Sequence, residues 1–228
     1  MTTDEYIAHF SLWAISKAPL ITGLNIVKLS QTALYILTNP EVIAVNQDRL
    51  GKQGRKVAVF LSKSANKVIE TNCFRSTSII EPKLRQWIVN SDDKTIRSAM
   101  NNRCLDPLNF ILTDCQNQTI RRPFHWHPDK QTIENSLTGE CLTVQHDLEI
   151  WSCELVDSSR AVVLLNRGDT SSQSITVKWS DIGLPSTSSA SIRDLWARAN
   201  LGTFTSNFTS PSISPHTIMM LKITENKT

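Results

Sequence analysis

The chain opens with two amphipathic stretches separated by short apolar runs. Between Asp4 and Lys17, Phe10, Trp13 and Ala14 recur at helical spacing, which predicts a helix with one apolar face. Asp4 and Glu5 favour the positive end of its dipole, and Pro19 stops it. Ser30 to Leu37 has the same character. Leu20-Ile21-Thr22 and Glu41-Val42-Ile43-Ala44-Val45 read as strands, the second ending in the polar tip Asn46-Gln47-Asp48. Helix, strand, helix, strand implies a parallel sheet covered on both faces, and such a sheet needs more than two strands. The pattern therefore predicts a fragment of a larger fold, entered at Met1 part-way through.

The end of the chain has a different rhythm. From 147 to 228, short runs such as Arg160 to Leu165 and Ser174 to Trp179 alternate apolar and polar positions between Gly, Pro, Asp and Ser breaks. This predicts an antiparallel β-domain. Between the two ends lies an internal repeat. Gln86-Trp87, Thr95-Ile96, Cys104-Leu105-Asp106 and Cys115 are echoed by His125-Trp126, Thr132-Ile133, Cys141-Leu142-Thr143 and Cys153. Equivalent positions lie 37 to 39 residues apart, which predicts one supersecondary unit per copy.

At 228 residues the chain can hold one large or two small domains, and 40% apolar content is enough for globular cores. Its 24 basic and 21 acidic residues are interspersed, so the net charge of +3 makes no basic patch and nucleic acid is not an expected partner. No apolar run approaches the roughly 20 residues of a membrane-spanning helix, and the N-terminus carries no signal-peptide pattern. Yet Asn117, Asn207 and Asn226 each open an Asn-X-Thr acceptor sequence, and Cys73, Cys104, Cys115, Cys141 and Cys153 are spaced as if for disulfides. Secretory marks without a leader again predict a missing N-terminal portion.

Several words in one order carry a resemblance. Met1 to Tyr6, His9-Phe10-Ser11-Leu12-Trp13-Ala14, Lys17-Ala18-Pro19-Leu20, Glu41 to Asp48 and Leu50-Gly51-Lys52-Gln53-Gly54 are similar to the late barrel region of the family 27 glycoside hydrolases, the α-galactosidases. Asp147-Leu148-Glu149-Ile150-Trp151, Ala161 to Arg167, Trp179 to Leu184 and Arg193-Asp194-Leu195-Trp196 resemble that family's C-terminal β-domain. The middle repeat resembles ricin-type lectin repeats. The fold class implied is α/β plus all-β. Residues 1–54 would be the last βα units of a (β/α)8 TIM barrel, 55–146 a β-trefoil-like, ricin-type insert, and 147–228 an antiparallel β-sandwich.

The resemblance implies a retaining α-galactosidase, which hydrolyses terminal α-D-galactosyl residues with two carboxylates about 5 Å apart. In the family both are aspartates on earlier barrel strands, so no catalytic residue is expected here and the chain alone should be inactive. Two alternatives remain: a non-catalytic, lectin-like carbohydrate-binding protein, and a β-L-arabinopyranosidase of the same family. The implied partners are galactosides, with a homodimer as the full-length assembly, no cofactor, and a secreted, lysosomal or vacuolar setting.

Thr22 aligns with the wall of the family's galactose pocket, although Leu24-Asn25 stands where the family has Cys-Asp and Arg49 where it has Pro. Asn46, Gln47 and Asp48 are expected to organise the barrel mouth rather than touch substrate. Trp151 matches either the sugar-stacking aromatic of a lectin repeat or a core residue of the β-domain. The lectin resemblance pairs Cys104 with Cys115 and Cys141 with Cys153, leaving Cys73 over. His125 and His127, two apart on a strand, would share a face. With no third ligand in view, no metal is expected.

Overall fold

The structure is a computed structural model that describes residues 1–61, 68–72, 82–90, 95–106, 111–115, 124–135, 138–144 and 146–226. Cys73 and Asn117 lie outside them. The chain divides into two compact units, Met1–Ser62 with Asp147–Thr228, and Lys63–His146.

The first unit begins with α1 (Thr3–Ile15). Thr2 caps it: its hydroxyl accepts from the Glu5 amide at 3.2 Å, and the Glu5 carboxylate accepts from the Thr2 amide at 2.7 Å. Lys17 follows in the left-handed region (φ 58°), and the chain leaves the helix there. Residues 20–22 form no strand; Ile21 is 81% exposed. In α2 (Gln31–Leu37), the Ser30 hydroxyl caps the Ala33 amide at 3.1 Å.

The run 41–45, expected as a strand, is instead a helix, α3 (Pro40–Asn46). Asn39 and Pro40 decide this. The Asn39 side chain accepts from the amides of Glu41 (3.0 Å) and Val42 (3.3 Å), and proline at the first helical position has its φ set in advance. Val42 and Val45, three apart, are both buried, while the alternation that suggested a strand would have needed neighbouring strands to pair with. Among the described residues every strand pairing is antiparallel, so the expected parallel sheet is absent.

Strand β1 (Arg55–Phe60) comes next and belongs to the sandwich, although the sequence reading assigned it to the insert. Gly54 enters it through a tight contact, its amide donating to the Ile15 carbonyl at 2.8 Å. A Cβ on Gly54 would lie 2.6 Å from Ile15 Cγ1 and 2.8 Å from Ile15 O. Gly54→Ala is expected to cost about 1–3 kcal/mol, because the obstacle is helix backbone. Thermal unfolding of the full chain checks this, and an unchanged midpoint would show that α1 is free to shift.

The second unit holds β2 (Val68–Asn72), a helical turn α4 (Pro82–Arg85), β3 (Trp87–Asn90), β4 (Thr95–Ser98), β5 (Cys104–Asp106), β6 (Ile111–Thr113), β7 (Phe124–His127), β8 (Thr132–Asn135) and β9 (Glu140–Val144). They make two four-stranded sheets, β3-β4-β5-β6 and β2-β9-β8-β7. The repeat is visible in the register. Val89 pairs with Ile96 and Trp126 with Ile133; Arg97 pairs with Cys104 and Glu134 with Cys141. Matched positions are thus 37 residues apart throughout, which makes Val89, not Trp87, the counterpart of Trp126. Trp87 is fully buried, its indole N–H donating to the Leu142 carbonyl at 3.0 Å.

The chain then re-enters the first unit with β10 (Leu148–Glu154), β11 (Arg160–Asn166), β12 (Thr176–Lys178), a 3-10 turn (Trp179–Ile182), β13 (Ser189–Asp194), β14 (Ala199–Thr205), β15 (Asn207–Thr209) and β16 (Thr217–Glu225). The main sheet has the order β1-β10-β11-β16-β13-β14, and β12 pairs with β15 across from it. Central strand β11 is apolar at successive positions because both of its faces are covered. Val162 and Leu164 enter a core with Val177, Trp179 and Phe208; Ala161, Val163 and Leu165 meet Phe10, Ala14, Val42 and Val45 from the helices. One sheet is therefore sandwiched between a small β-layer and a layer of three helices.

Candidate functional site

Asp194 Oδ1 accepts from the amides of Trp196 and Ala197, both at 2.9 Å, and holds the turn after β13 in shape. That turn then grips all three helices. The Trp196 indole donates to the Ser11 hydroxyl on α1 at 2.8 Å, and the Tyr35 hydroxyl on α2 donates to the Trp196 carbonyl at 3.1 Å. Asn39, which caps α3, donates to the Leu195 carbonyl at 3.1 Å from a fully buried position. Arg193 clamps Glu41 with two nitrogens at 2.7 and 2.6 Å. Hydrogen bonding to Arg193 lowers the Glu41 carboxyl pKa and raises that of the guanidinium, so both stay charged. The sequence reading quoted Arg193-Asp194-Leu195-Trp196 only for resemblance and gave these residues no role. Their partners lie more than 150 residues away, so no local pattern marks them.

Beyond this clamp the helices and the segment 20–30 enclose two apolar cavities. One, of ≈ 660 Å³, lies beside Tyr6, His9, Trp13 and Leu29, with His9 stacked on Trp13 at 6.0 Å. The other, of ≈ 340 Å³, is lined by Thr22, Leu20, Leu24, Ile26 and Gln47. Thr22 is exposed on the smaller one, and no carboxylate lines either. The pair of acids that glycoside hydrolysis needs is thus missing from both. Around them Ile21, Ile26 and Val27 are 77 to 93% exposed, an apolar surface of the kind that protein–protein contacts cover.

The polar tip has internal duties. Asn46, 9% exposed, donates to the Ala18 carbonyl at 2.9 Å, and Gln47 donates to Asn46 Oδ1 at 2.6 Å. Asp48 accepts from the amide of Val156 at 3.1 Å, by both oxygens, and from that of Leu50 at 3.1 Å. This carboxylate ties the end of α3 to the hairpin after β10.

Trp151 lies in β10, in the sandwich sheet and not in the second unit. It packs half-buried against the helix-side core, with Lys56 Nζ 5.9 Å from its ring centre and its indole N–H 2.7 Å from Glu149. Glu149, which the sequence reading quoted only for resemblance, is 2% exposed and also meets Arg167 at 2.8 Å and Lys56 at 3.4 Å. A glutamate between two apolar strand residues gives no signal that three donors will converge on it.

Cys104 and Cys115, which the lectin resemblance paired, form a disulfide. The expected bond from Cys141 to Cys153 does not form: Cys141 is disulfide-bonded elsewhere, and Cys153 is a buried free thiol, its pKa raised by that burial. The cause is topological. In the first copy β5 and β6 are paired, whereas in the second β9 pairs with β2 and β8 while β10 joins the sandwich between β1 and β11. His125 and His127 do share a face, rings 4.6 Å apart, and His127 meets Glu134 at 2.9 Å. Among the described residues no group of three His, Cys, Asp or Glu side chains could hold a metal ion.

Residues 145–223 match the family described as the α-galactosidase C-terminal β-sandwich domain. A probable α-galactosidase of Dictyostelium discoideum is 29% identical over 225 residues, covering 98% of this chain and 37% of that protein. The α-galactosidase of Coffea arabica is 30% identical over 199 residues, 87% of this chain and 30% of that one. The crystal structure of α-galactosidase I from Mortierella vinacea superposes with a TM-score of 0.56 at 22% identity, covering 98% of this chain and 36% of that one, and so shares the fold. The chain thus spans about a third of the length of the curated relatives it matches. Nearly the whole chain is thus similar to a part of these α-galactosidases, and residues 145–223 match the α-galactosidase C-terminal β-sandwich domain.

Proposed function

We propose that this chain is the supporting part of an α-galactosidase that cleaves terminal α-D-galactosyl residues with retention, and that the chemistry resides in barrel segments upstream of it. One observation carries the reading: similarity to α-galactosidases runs along 98% of the chain, through the helices as well as the sandwich. The absence of carboxylates from both cavities agrees with catalytic aspartates placed elsewhere. In this reading the sandwich keeps α1, α2 and α3 fixed beside the missing strands, and Thr22 faces the galactose pocket those strands complete. The exposed apolar surface around Ile21, Ile26 and Val27 is where they pack.

The unit Lys63–His146 is a ricin-type, lectin-like insertion, a reading supported by its constant 37-residue register. Trp151 is then a core residue of the sandwich and not a sugar platform. The full-length enzyme works as a homodimer in the secretory pathway, secreted or in a vacuole or lysosome.

The test is hydrolysis of p-nitrophenyl α-galactoside. The 228-residue chain is expected to show none, and a product of the same gene extended upstream through the earlier barrel strands is expected to be active. Hydrolysis by the chain alone would remove the chemistry from the upstream part. An extended, folded product inactive on every α-galactoside tried would overturn the α-galactosidase reading itself.

A further inference from the structure

We propose that Asn207 carries an N-linked glycan and that this glycan screens the open edge of the sandwich beside it. The inference rests on the secretory setting proposed above. Of the three acceptor sequences, the one at Asn117 lies outside the described residues, and the structure separates the other two. Asn226 is exposed, but its side chain is already committed. Its Oδ1 accepts from Ser191 Oγ at 2.7 Å, its Nδ2 donates to Ser189 Oγ at 3.2 Å, and its backbone amide donates to the Ser189 carbonyl at 2.9 Å. The nitrogen that would bear the sugar is stitching the end of β16 to β13.

Asn207 is presented quite differently. It opens β15 just after Ser206, whose φ of 68° makes a sharp turn out of β14. The turn is pinned from both sides: the Ser206 amide donates to the Ser188 carbonyl at 3.1 Å, and the Trp179 amide donates to the Ser206 carbonyl at 3.0 Å. Along β15 the side chains alternate, so Phe208 is buried while Asn207 and Thr209 both face solvent. Among the described residues no hydrogen bond engages the Asn207 amide. The acceptor nitrogen is thus unengaged on an exposed strand, and the hydroxyl two residues on lies on the same solvent-facing side, where it shares a hydrogen bond with the Thr176 hydroxyl at 2.9 Å.

The location supplies a purpose. β14 is the last strand of its sheet, seven residues long and mostly exposed; among the described residues it pairs only with β13, and β15 only with β12. An unpaired strand edge is a template for a second chain. Asn207 lies two residues beyond the end of β14, where a bulky hydrated glycan would obstruct an approaching strand. In the transfer itself, Asn207 Nδ2 bonds to the anomeric carbon of a lipid-linked oligosaccharyl pyrophosphate. The bond from that carbon to the pyrophosphate oxygen breaks, the lipid pyrophosphate leaves with the electron pair, and the amide proton passes to solvent. No oxidant or reductant is involved.

The experiment translates the full chain behind a heterologous signal peptide in the presence of endoplasmic-reticulum microsomes. Glycans are read as a mobility shift removed by peptide N-glycosidase. N207Q and T209A are each expected to lose one shift relative to the parent chain, while T209S and N226Q keep the parental pattern. An N207Q product, protected inside the microsomes, that migrates like the parent would overturn the assignment. So would a protected parent chain with no shift at all. Because the signal is supplied, either result is independent of where the native protein resides. For the screening role, N207Q and T209A secreted from yeast are expected to elute as larger species than the parent or N226Q. Identical elution of all four would overturn that part.

Discussion

Glu149→Ala is expected to destabilise the sandwich unit by about 3 kcal/mol, the lower end of the cost of breaking a buried charge network by removing one member. The side chain is almost fully enclosed, yet it receives the Trp151 indole N–H at 2.7 Å, Arg167 at 2.8 Å and Lys56 at 3.4 Å. Removing it leaves the indole donor unsatisfied and two cations facing each other. Arg167 is half exposed, so water recovers part of its share, which is why the lower end applies. Glu149→Gln keeps an acceptor without the charge and is expected to lose roughly half as much. Urea unfolding of the full chain, followed by tryptophan fluorescence, checks both. A loss below roughly 1 kcal/mol for the alanine variant would show that the donors find other partners.

Trp179→Ala is expected to cost about 3–5 kcal/mol, the range for truncating a large buried aromatic. Trp179 is fully buried in the core between the main sheet and the β12–β15 layer, and its indole N–H donates to the Ser188 carbonyl at 2.8 Å. Its own amide bonds to the Ser206 carbonyl, so the residue ties together three loops. Trp179→Phe retains most of the packing but orphans the Ser188 carbonyl, and a cost of about 1 kcal/mol is expected. Equal losses for the two variants would assign the effect to the hydrogen bond rather than to the cavity.

Neither Glu149 nor Trp179 lines either apolar cavity. They matter for function because the sheet they stabilise is the platform on which α1, α2 and α3 rest, and the clamp from Arg193 to Trp196 passes directly from that sheet into the helices. Loss of the sandwich would release α1, α2 and α3, and with them the segment that carries Thr22.

Much of the sandwich was legible in the residues, because period-two alternation and turn residues are local properties. The first helix was legible for the same reason, and so was the existence of a repeat. The run from Glu41 to Val45 was not. Its apolar positions fit either period, and the choice was made by the Asn39 cap and Pro40 just before it, a signal that was present in the chain and outweighed by the apparent alternation.

What the sequence determined by itself was therefore the set of pieces: a capped amphipathic helix, a duplicated hairpin module, an alternating β-domain, and a string of words shared with α-galactosidases. The tertiary structure decided which pieces meet. It drew β1 out of the insert and into the sheet, and it carried β10 away from β9, leaving Cys153 a buried thiol. It also converged three donors on Glu149 and brought Arg193 to Glu41 across 152 positions of chain. Each of these depends on pairing between distant segments. That pairing is set by which apolar faces can be buried together, a property that no single stretch of sequence possesses.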